Sequence, residues 1–247
     1  REAGGGGTRF LAVLLAAALL GGAFWLLPRL SGGGKGEGEL PSPVGSSSGS
    51  SDGNALKGSE APDGEYRAVW FSYLDLADIL TGKDEVEFTD SINREFQNCK
   101  EMGLNTVIVQ VRPYSDALYP SKLFPYSKYA AGKQGQDPGF DPLKIMVELS
   151  HQKGLKIEAW INPYRISSAA DSAPCAENPG AKWFADGATR GDWVVQVGEG
   201  LYYNPAIPQV QDLIVSGVEE ILQNYAVDGI HFDDYFYPSD ADDSFDA

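Results

Sequence analysis

The spacing of apolar residues from Tyr66 onward predicts strands that alternate with helices. Short, nearly continuous apolar runs are typical of strands covered on both faces, and they occupy residues 66–74, 104–111, 155–161 and 227–232. Segments with an apolar residue every three or four positions predict amphipathic helices, and they occupy residues 87–102, 142–153 and 208–225. This alternation predicts a parallel sheet.

Two of the predicted helices carry a well-defined apolar face. Along the first helix, that face consists of Phe88, Ile92, Phe96 and Cys99. Along the third helix, it consists of Val210, Leu213, Ile214, Val218, Ile221 and Leu222. We expect both faces to pack against the sheet, because most of a helix's stability in a protein comes from burial of such a face.

The predicted fold class is α/β, of the (β/α)8 TIM-barrel type. Polar and aromatic residues gather where the strands end, and barrel enzymes place their active sites at that edge. The main alternative is a doubly wound open sheet, which usually has a Gly-rich phosphate loop after its first strand; residues 72–75 read Ser-Tyr-Leu-Asp instead. A closed barrel typically needs about 250 residues. Residues 66–247 are therefore expected to hold about the first four β-α units, and to be inactive by themselves.

The first 65 residues differ in composition and predict an anchor followed by a tether. Residues 10–27 carry no charged side chain, and as a helix they would span about 27 Å, close to the hydrocarbon thickness of a bilayer. We interpret them as a transmembrane signal anchor, with residues 1–9 as a basic cytoplasmic end; a cleaved signal peptide is the alternative. The Gly-, Ser- and Pro-rich residues 28–65 predict a flexible linker. Residues 66–247 would then lie outside the membrane of a single-pass protein.

Charge and cysteine content argue against several functions. The formal net charge is −16, which argues against a nucleic-acid partner because phosphate binding needs clustered Lys and Arg. The chain has two cysteines, Cys99 and Cys175, and two histidines, too few for a typical zinc cluster. We therefore expect no metal and no cofactor. A single disulfide stays open as an alternative, and so do uncharged partners such as polysaccharides.

The candidate site lies at three strand ends. Side chains alternate between the two faces of a strand, so one choice of face brings Arg112, Asn162, His231 and Asp233 to a common barrel mouth. Their guanidinium, amide, imidazole and carboxylate groups suit sugar hydroxyls, and nearby aromatic rings supply flat walls for a pyranose. The predicted substrate-binding residues are Trp70, Arg112, Tyr114, Trp160, Asn162, Tyr164, Arg165, His231 and Tyr235.

Each of these positions also has a structural interpretation. The Asp233-Asp234 pair could form a solvated turn or a helix cap, and Asn162 before Pro163 could start a turn. Arg165 could be a surface residue, and the two tryptophans could fill the core. The recurrence of the pattern at three strand ends favours a site.

Four stretches of the sequence resemble the glycoside-hydrolase-like family 10, once classed as a domain of unknown function numbered 187. They are YRAVWFSYLDL (66–76), the segment 111–143 that begins VRPYSDALYP, AWINPYRI (159–166) and NYAVDGIHFDDYFYP (224–238). The resemblance covers the chain from Tyr66 to its end. It implies a (β/α) barrel, export to the bacterial cell envelope, and glycosidase activity on peptidoglycan, including glycan strands stripped of stem peptides.

The predicted catalytic residues are Asp233 and Asp234. Residues 228–233, Asp-Gly-Ile-His-Phe-Asp, resemble the fourth-strand motif Asp-Gly-x-Arg-x-Asp of amylase-type barrels, whose last Asp is the nucleophile; His231 replaces the Arg. Glycosidases use two carboxylates, about 5–5.5 Å apart for retention or about 6.5–9.5 Å apart for inversion. Because Asp233 and Asp234 are neighbours on opposite sides of a strand, the second carboxylate is expected from a later strand.

The predicted function is a membrane-anchored, extracytoplasmic glycoside hydrolase that acts on a cell-envelope polysaccharide, above all on peptidoglycan glycan strands. Two alternatives stay open. One is a non-catalytic barrel that binds glycans, and the other is a structural protein of the envelope.

Overall fold

The computed structural model describes residues 64–168, 173–233 and 238. The strands in these ranges are β1 (Ala68–Phe71), β2 (Thr106–Arg112), β3 (Lys156–Ile161), β4 (Arg165–Ser167), β5 (Val194–Val197), β6 (Gly200–Tyr203) and β7 (Gly229–His231). The helices are α1 (Tyr73–Leu80), α2 (Glu85–Glu101), α3 (Lys128–Ala131), α4 (Pro142–Gln152), α5 (Pro179–Ala185) and α6 (Pro208–Asn224).

A four-stranded parallel sheet organises the fold, in the order β1-β2-β3-β7. Each of its strands lies within, or within one residue of, one of the four apolar runs, and neighbours in the sheet follow the order of the chain. The predicted α/β class and parallel sheet are therefore confirmed. This order arises because each crossover carries at least one helix, which returns the chain to the starting edge of the sheet.

The first strand is shorter than its apolar run predicts. The run extends to Leu74, but β1 ends at Phe71 and α1 begins at Tyr73. Ser72 caps this helix by accepting a hydrogen bond from the Asp75 amide, while the Asp75 side chain accepts from the Ser72 amide. This reciprocal capping box satisfies backbone donors at the helix start and so turns the chain out of the sheet.

The apolar face predicted for the first long helix is confirmed in α2, where Phe88, Ile92, Phe96 and Cys99 are all buried. The face predicted for α6 is correct only in part. Val210 and Ile221 are buried, whereas Leu222 is 55% exposed. The helix therefore contacts the body of the protein along a narrower stripe than its apolar residues suggest.

A second, antiparallel sheet lies in the connection between β3 and β7. Its order is β4-β6-β5. Together with α5 and the start of α6 it encloses a separate small core of Ile166, Val194, Leu201, Tyr203 and Val210. The long connection after β3 is thus a folded subdomain.

The two faces of the parallel sheet have different roles. One face packs into the main core, together with α2 and α4, through Val107, Val109, Val111, Ile157, Ala159 and Ile161. The alternating residues occupy the opposite face, which we call the inner face. It carries Trp70, Gln110, Glu158, Trp160 and His231.

The predicted anchor (10–27) and all but the last two residues of the linker (28–65) lie outside the described residues. Within the part of the chain that the structure describes, no helix is both long enough and apolar enough to cross a membrane.

Candidate active site on the inner face of the sheet

The strand register brings three predicted site residues together on the inner face. Trp160 of β3 pairs with His231 of β7, and Trp70 lies one row below on β1. The imidazole of His231 contacts both indoles edge-on, with centroid distances of 6.0 Å to Trp70 and 6.4 Å to Trp160. Trp70 is 57% exposed, so this aromatic group presents a flat surface to solvent.

Hydrogen bonds define the tautomer of His231. The indole Nε1–H of Trp70 donates to Nε2 of His231 over 3.3 Å, so Nε2 must carry a lone pair. On the other side of the ring, Nδ1 lies 3.1 Å from Oε2 of Glu158. Since a carboxylate only accepts, Nδ1 carries the proton and donates it to Glu158.

Glu158 is itself held in place from two directions. The hydroxyl of Tyr66 lies beside it, and burial together with the neighbouring Glu158 carboxylate raises the pKa of Tyr66 to about 12. On β7, Gly229 pairs with Glu158 in the register. A Cβ at Gly229 would lie only 3.2 Å from Cγ of Glu158, so the absence of a side chain there makes room for the carboxylate.

Two polar atoms near this cluster are buried and lack a hydrogen-bond partner among the described residues. They are Oδ1 of Asp233, an acceptor, and Nε1 of Trp160, a donor. Asp233 follows the end of β7 by two residues. Buried polar groups normally find partners, so these two atoms are suited to the hydroxyl groups of a ligand.

A second group of predicted residues meets where β2 and β3 end. Cζ of Arg165 lies 5.2 Å from the ring centroid of Tyr114. With its amide oxygen turned towards Arg165, Asn162 accepts a hydrogen bond from Nη2 over 2.8 Å. The hydroxyl of Tyr114 lies 3.4 Å from that of Tyr73, at the start of α1. We call Tyr73, Tyr114, Asn162 and Arg165 the rim group.

Arg112 does not lie where strand alternation placed it. Between Gln110 and Arg112 the register of β2 slips by one residue relative to β3, so that Arg112 pairs with Ile161. Such a bulge re-aims the side chains that follow it. Arg112 is 1% exposed, its guanidinium stacks 4.3 Å from the ring centroid of Phe124, and it lies against Gly217 of α6. The prediction that Arg112 shares the mouth with His231 is therefore wrong.

The surroundings of Arg112 are those of a packed interior. Its Nε and Nη1 atoms have no hydrogen-bond partner among the described residues. Burial raises the pKa of the neighbouring Tyr119 to about 12, although the Arg112 charge opposes that shift.

The remaining predicted residues fall elsewhere. Tyr164 packs against the small core beside the antiparallel sheet. Asp234 and Tyr235 lie outside the described residues. Cys99 and Cys175 are free thiols, so they do not form the disulfide that stayed open as an alternative. Within residues 64–168, 173–233 and 238, no group of three or more His, Cys, Asp or Glu side chains is placed to hold a metal ion.

Sequence reasoning did not include Tyr66, Tyr73 or Glu158 among the site residues. Alternation does place Glu158 on the same face as Trp160, two residues later on the strand, but it does not indicate the contact with His231. No local pattern indicates Tyr66, because its contact with Glu158 joins residues that are distant in the chain.

The chain is similar to proteins described as glycosyl hydrolases. The glycosyl hydrolase YngK of Bacillus subtilis is 41% identical over 185 residues, which are 71% of this chain and 34% of YngK. The glycosyl hydrolase DigH of Escherichia coli is 38% identical over 150 residues, 58% of this chain and 33% of DigH. The chain thus spans about a third of the length of these relatives. Among solved structures, a maltogenic α-amylase of Thermotoga neapolitana aligns with a TM-score of 0.45 and 11% identity, over 70% of this chain and 40% of the amylase.

A family model covers most of the chain. The model described as Glycosyl hydrolase-like 10 matches residues 65–245, a range that contains both sheets and every described residue of the inner face. The chain therefore belongs to the glycosyl hydrolase-like 10 family.

Proposed function

We propose that this chain is the substrate-binding and nucleophile-bearing part of a glycoside hydrolase that acts on a cell-envelope polysaccharide. The observation that carries the proposal is the inner-face group of Trp70, Trp160 and His231, with Asp233 two residues after His231 in the chain. Exposed indole rings offer apolar walls for sugar rings, while a few convergent polar groups orient the hydroxyls. The family and the names of the relatives support the same class of reaction.

In this proposal Asp233 is the reacting carboxylate. It lies just after a parallel strand, at the edge where barrel enzymes carry out catalysis, and its Oδ1 is buried without a partner among the described residues. A carboxylate in that situation is suited to attack an anomeric carbon or to transfer a proton. Asp234, its neighbour in the sequence, is assigned the lesser role of shaping the loop.

The second carboxylate of the reaction is proposed to come from strands that do not belong to the described sheet. The described inner face offers Glu158, but Glu158 is engaged by His231 and Tyr66. A barrel with more strands would place a further Asp or Glu across the mouth from Asp233, at the separation that glycosidases require.

The substrate and the location are also part of the proposal. We propose peptidoglycan glycan strands without stem peptides as the substrate, and an extracytoplasmic position with residues 10–27 as the membrane anchor. The acidic composition, with a net charge of −16, suits an enzyme that holds its polymer through hydroxyl groups and ring faces. It would repel the phosphate backbone of nucleic acids.

Replacement of Asp233 by Asn in the complete protein tests the catalytic assignment. The amide keeps the shape of the carboxylate but removes its charge, so we expect cleavage of peptide-free glycan strands to fall about 10²-fold or more. Release of reducing ends measures the rate, and circular dichroism checks the fold. The matched control is Asp234→Asn, for which we expect a smaller loss.

Two outcomes would contradict the proposal. A larger loss with Asp234→Asn than with Asp233→Asn would show that Asp234, and not Asp233, is the reacting carboxylate. A complete protein that binds the glycan strands without shortening them would be a non-catalytic glycan-binding barrel.

A further inference from the structure

Glu158 has no role in the proposed reaction, but its side chain makes a close contact with His231. Its Oε2 faces Nδ1 of His231 over 3.1 Å, and the side chains of both residues are largely covered, with exposures of 22% for His231 and 23% for Glu158. Carboxylate–imidazole contacts of this kind determine which ring nitrogen carries the proton. The opposite nitrogen, Nε2, faces the exposed indole of Trp70.

We infer that Glu158 is a positioning residue that keeps His231 in the Nδ1–H tautomer, so that Nε2 accepts a hydrogen bond from a substrate hydroxyl. This inference rests on the proposed function for the identity of the substrate. In the free protein the acceptor nitrogen is occupied by the Trp70 N–H. When a sugar binds, its hydroxyl takes the place of the indole donor.

Three observations indicate that the fold holds Glu158 and His231 in this arrangement. Tyr66 lies beside Glu158 and so limits the space open to the carboxylate. Gly229 leaves the space that the Glu158 side chain occupies. His231 precedes Asp233 by two residues on the same chain segment, so a change in the orientation of the His231 ring would also alter the surroundings of the proposed reacting group.

The tautomer also decides whether His231 can accept the hydrogen bond from the indole N–H of Trp70. With the proton on Nδ1, the Trp70 N–H meets a lone pair at 3.3 Å. With the proton on Nε2, two N–H donors would face each other, and the ring could not accept from a hydroxyl. Loss of the Glu158 carboxylate therefore changes the chemistry of His231 as well as its packing.

The test compares Glu158→Leu with Glu158→Gln in the complete protein labelled with ¹⁵N-histidine. The Gln carbonyl still accepts from Nδ1, so we expect the Nδ1–H tautomer to persist in that variant. Leu offers no acceptor, and the His231 spectrum should then move towards the Nε2–H form. The signals of His151, which lies beside Asp228, should stay constant and serve as an internal control.

Glycan titration and kinetics complete the test. Peptide-free glycan strands should shift the Nε2 signal of His231 in the wild-type protein. Loss of one hydroxyl hydrogen bond should raise KM by about three- to ten-fold in Glu158→Leu, with a smaller change in kcat, because the bond forms in both the ground and the transition state. Glu158→Gln should show a smaller rise in KM. Should Glu158→Leu not fold, Glu158→Ala also removes the acceptor and should shift the same signals in the same direction.

The inference and the proposed function can fail separately. An unchanged tautomer in Glu158→Leu (or in Glu158→Ala, where that variant stands in for it), or an Nε2 signal that the glycan does not move, would overturn the inference. Equal rises in KM for the Gln and Leu variants, with the tautomer altered only in Leu, would overturn it as well. A wild-type protein that cleaves nothing but still shows the glycan-induced shift would refute hydrolysis and leave the role of Glu158 standing.

Discussion

The guanidinium of Arg112 lies against Gly217 of α6 and over the ring of Phe124. A residue larger than glycine would therefore not fit at position 217. A Cβ at Gly217 would clash with Nη1 of Arg112 and lie 2.9 Å from Cε2 of Phe124. An arginine end group often moves aside easily, but Arg112 is fully enclosed. The glycine is therefore required by the packing, although glycine is a poor helix former.

Gly217→Ala should lower the free energy of unfolding by about 1–2 kcal/mol. Overpacking typically costs about 1–3 kcal/mol, and the gain in helix propensity returns up to about 1 kcal/mol. Urea denaturation measures the change. Gly187→Ala is the matched control, because a Cβ there meets no atom within 4 Å, and it should have an effect within about 0.5 kcal/mol. A stabilising effect of Gly217→Ala would mean that Arg112 is not held as described.

At the scale of elements, only some of the apolar residues of α6 are buried against the rest of the protein. Ile221 is fully buried in the main core, whereas its neighbour Leu222 is 55% exposed. Successive residues of a helix point about 100° apart, so a narrow contact stripe can bury one and leave the next in solvent. The same helix joins the two cores, since Val210 belongs to the small one and Ile221 to the main one.

Alanine substitutions at these two neighbours should have very different effects. Ile221→Ala removes packed methyl groups and should cost about 2–5 kcal/mol of unfolding free energy. Leu222→Ala removes mainly exposed surface and should change stability by less than about 0.5 kcal/mol. Thermal and urea unfolding of both variants provide the comparison. Equal losses would show that Leu222 is covered in the complete protein, and that α6 has a wider contact face than described.

At the scale of the whole molecule, the described parallel sheet has two outer strands, β1 and β7. Trp70 on its inner face is 57% exposed, and Phe232 just after β7 is 46% exposed. Unpaired strand edges and exposed apolar surface promote association between chains. A barrel with additional strands would remove the edges and cover the inner face.

Residues 66–247 expressed alone should therefore self-associate and fail to cleave glycan strands. A polypeptide that also starts at residue 66, and extends through the strands proposed to close the barrel, should stay monomeric and cleave them. Sedimentation velocity over a range of concentrations measures the association, and reducing-end release measures the activity. The extended polypeptide, which lacks residues 10–27 as well, is the control at matched concentration. A monomeric, cooperatively unfolding and hydrolytic 66–247 polypeptide would contradict this prediction, and its second carboxylate would then have to be sought among Asp75, Asp116 and Glu158.

Local pattern was sufficient for much of the fold. The buried face of α2 and the four parallel strands follow from side-chain periodicity, because burial of an apolar stripe or run is decided by residues close together in the chain. The start of α1 also has a local signal, the Ser72–Asp75 capping box, which an apolar strand pattern overrode in our prediction. The family assignment follows from the motifs for the same reason, since they occupy continuous segments within residues 65–245.

Tertiary structure alone decided the rest. The bulge before Arg112 depends on how β2 pairs with β3, and strict alternation within β2 could not indicate it. In the antiparallel sheet, β4 pairs with β6 across more than 30 residues, too far for local periodicity to report. The pairing of β5 with β6 is a local hairpin with two residues between the strands. The contacts of His231 with Trp70 and Glu158 join three separate strands. The chain itself determines which residues are available for chemistry, but the register between strands determines which of them meet, because hydrogen-bond partners are set by distance in space.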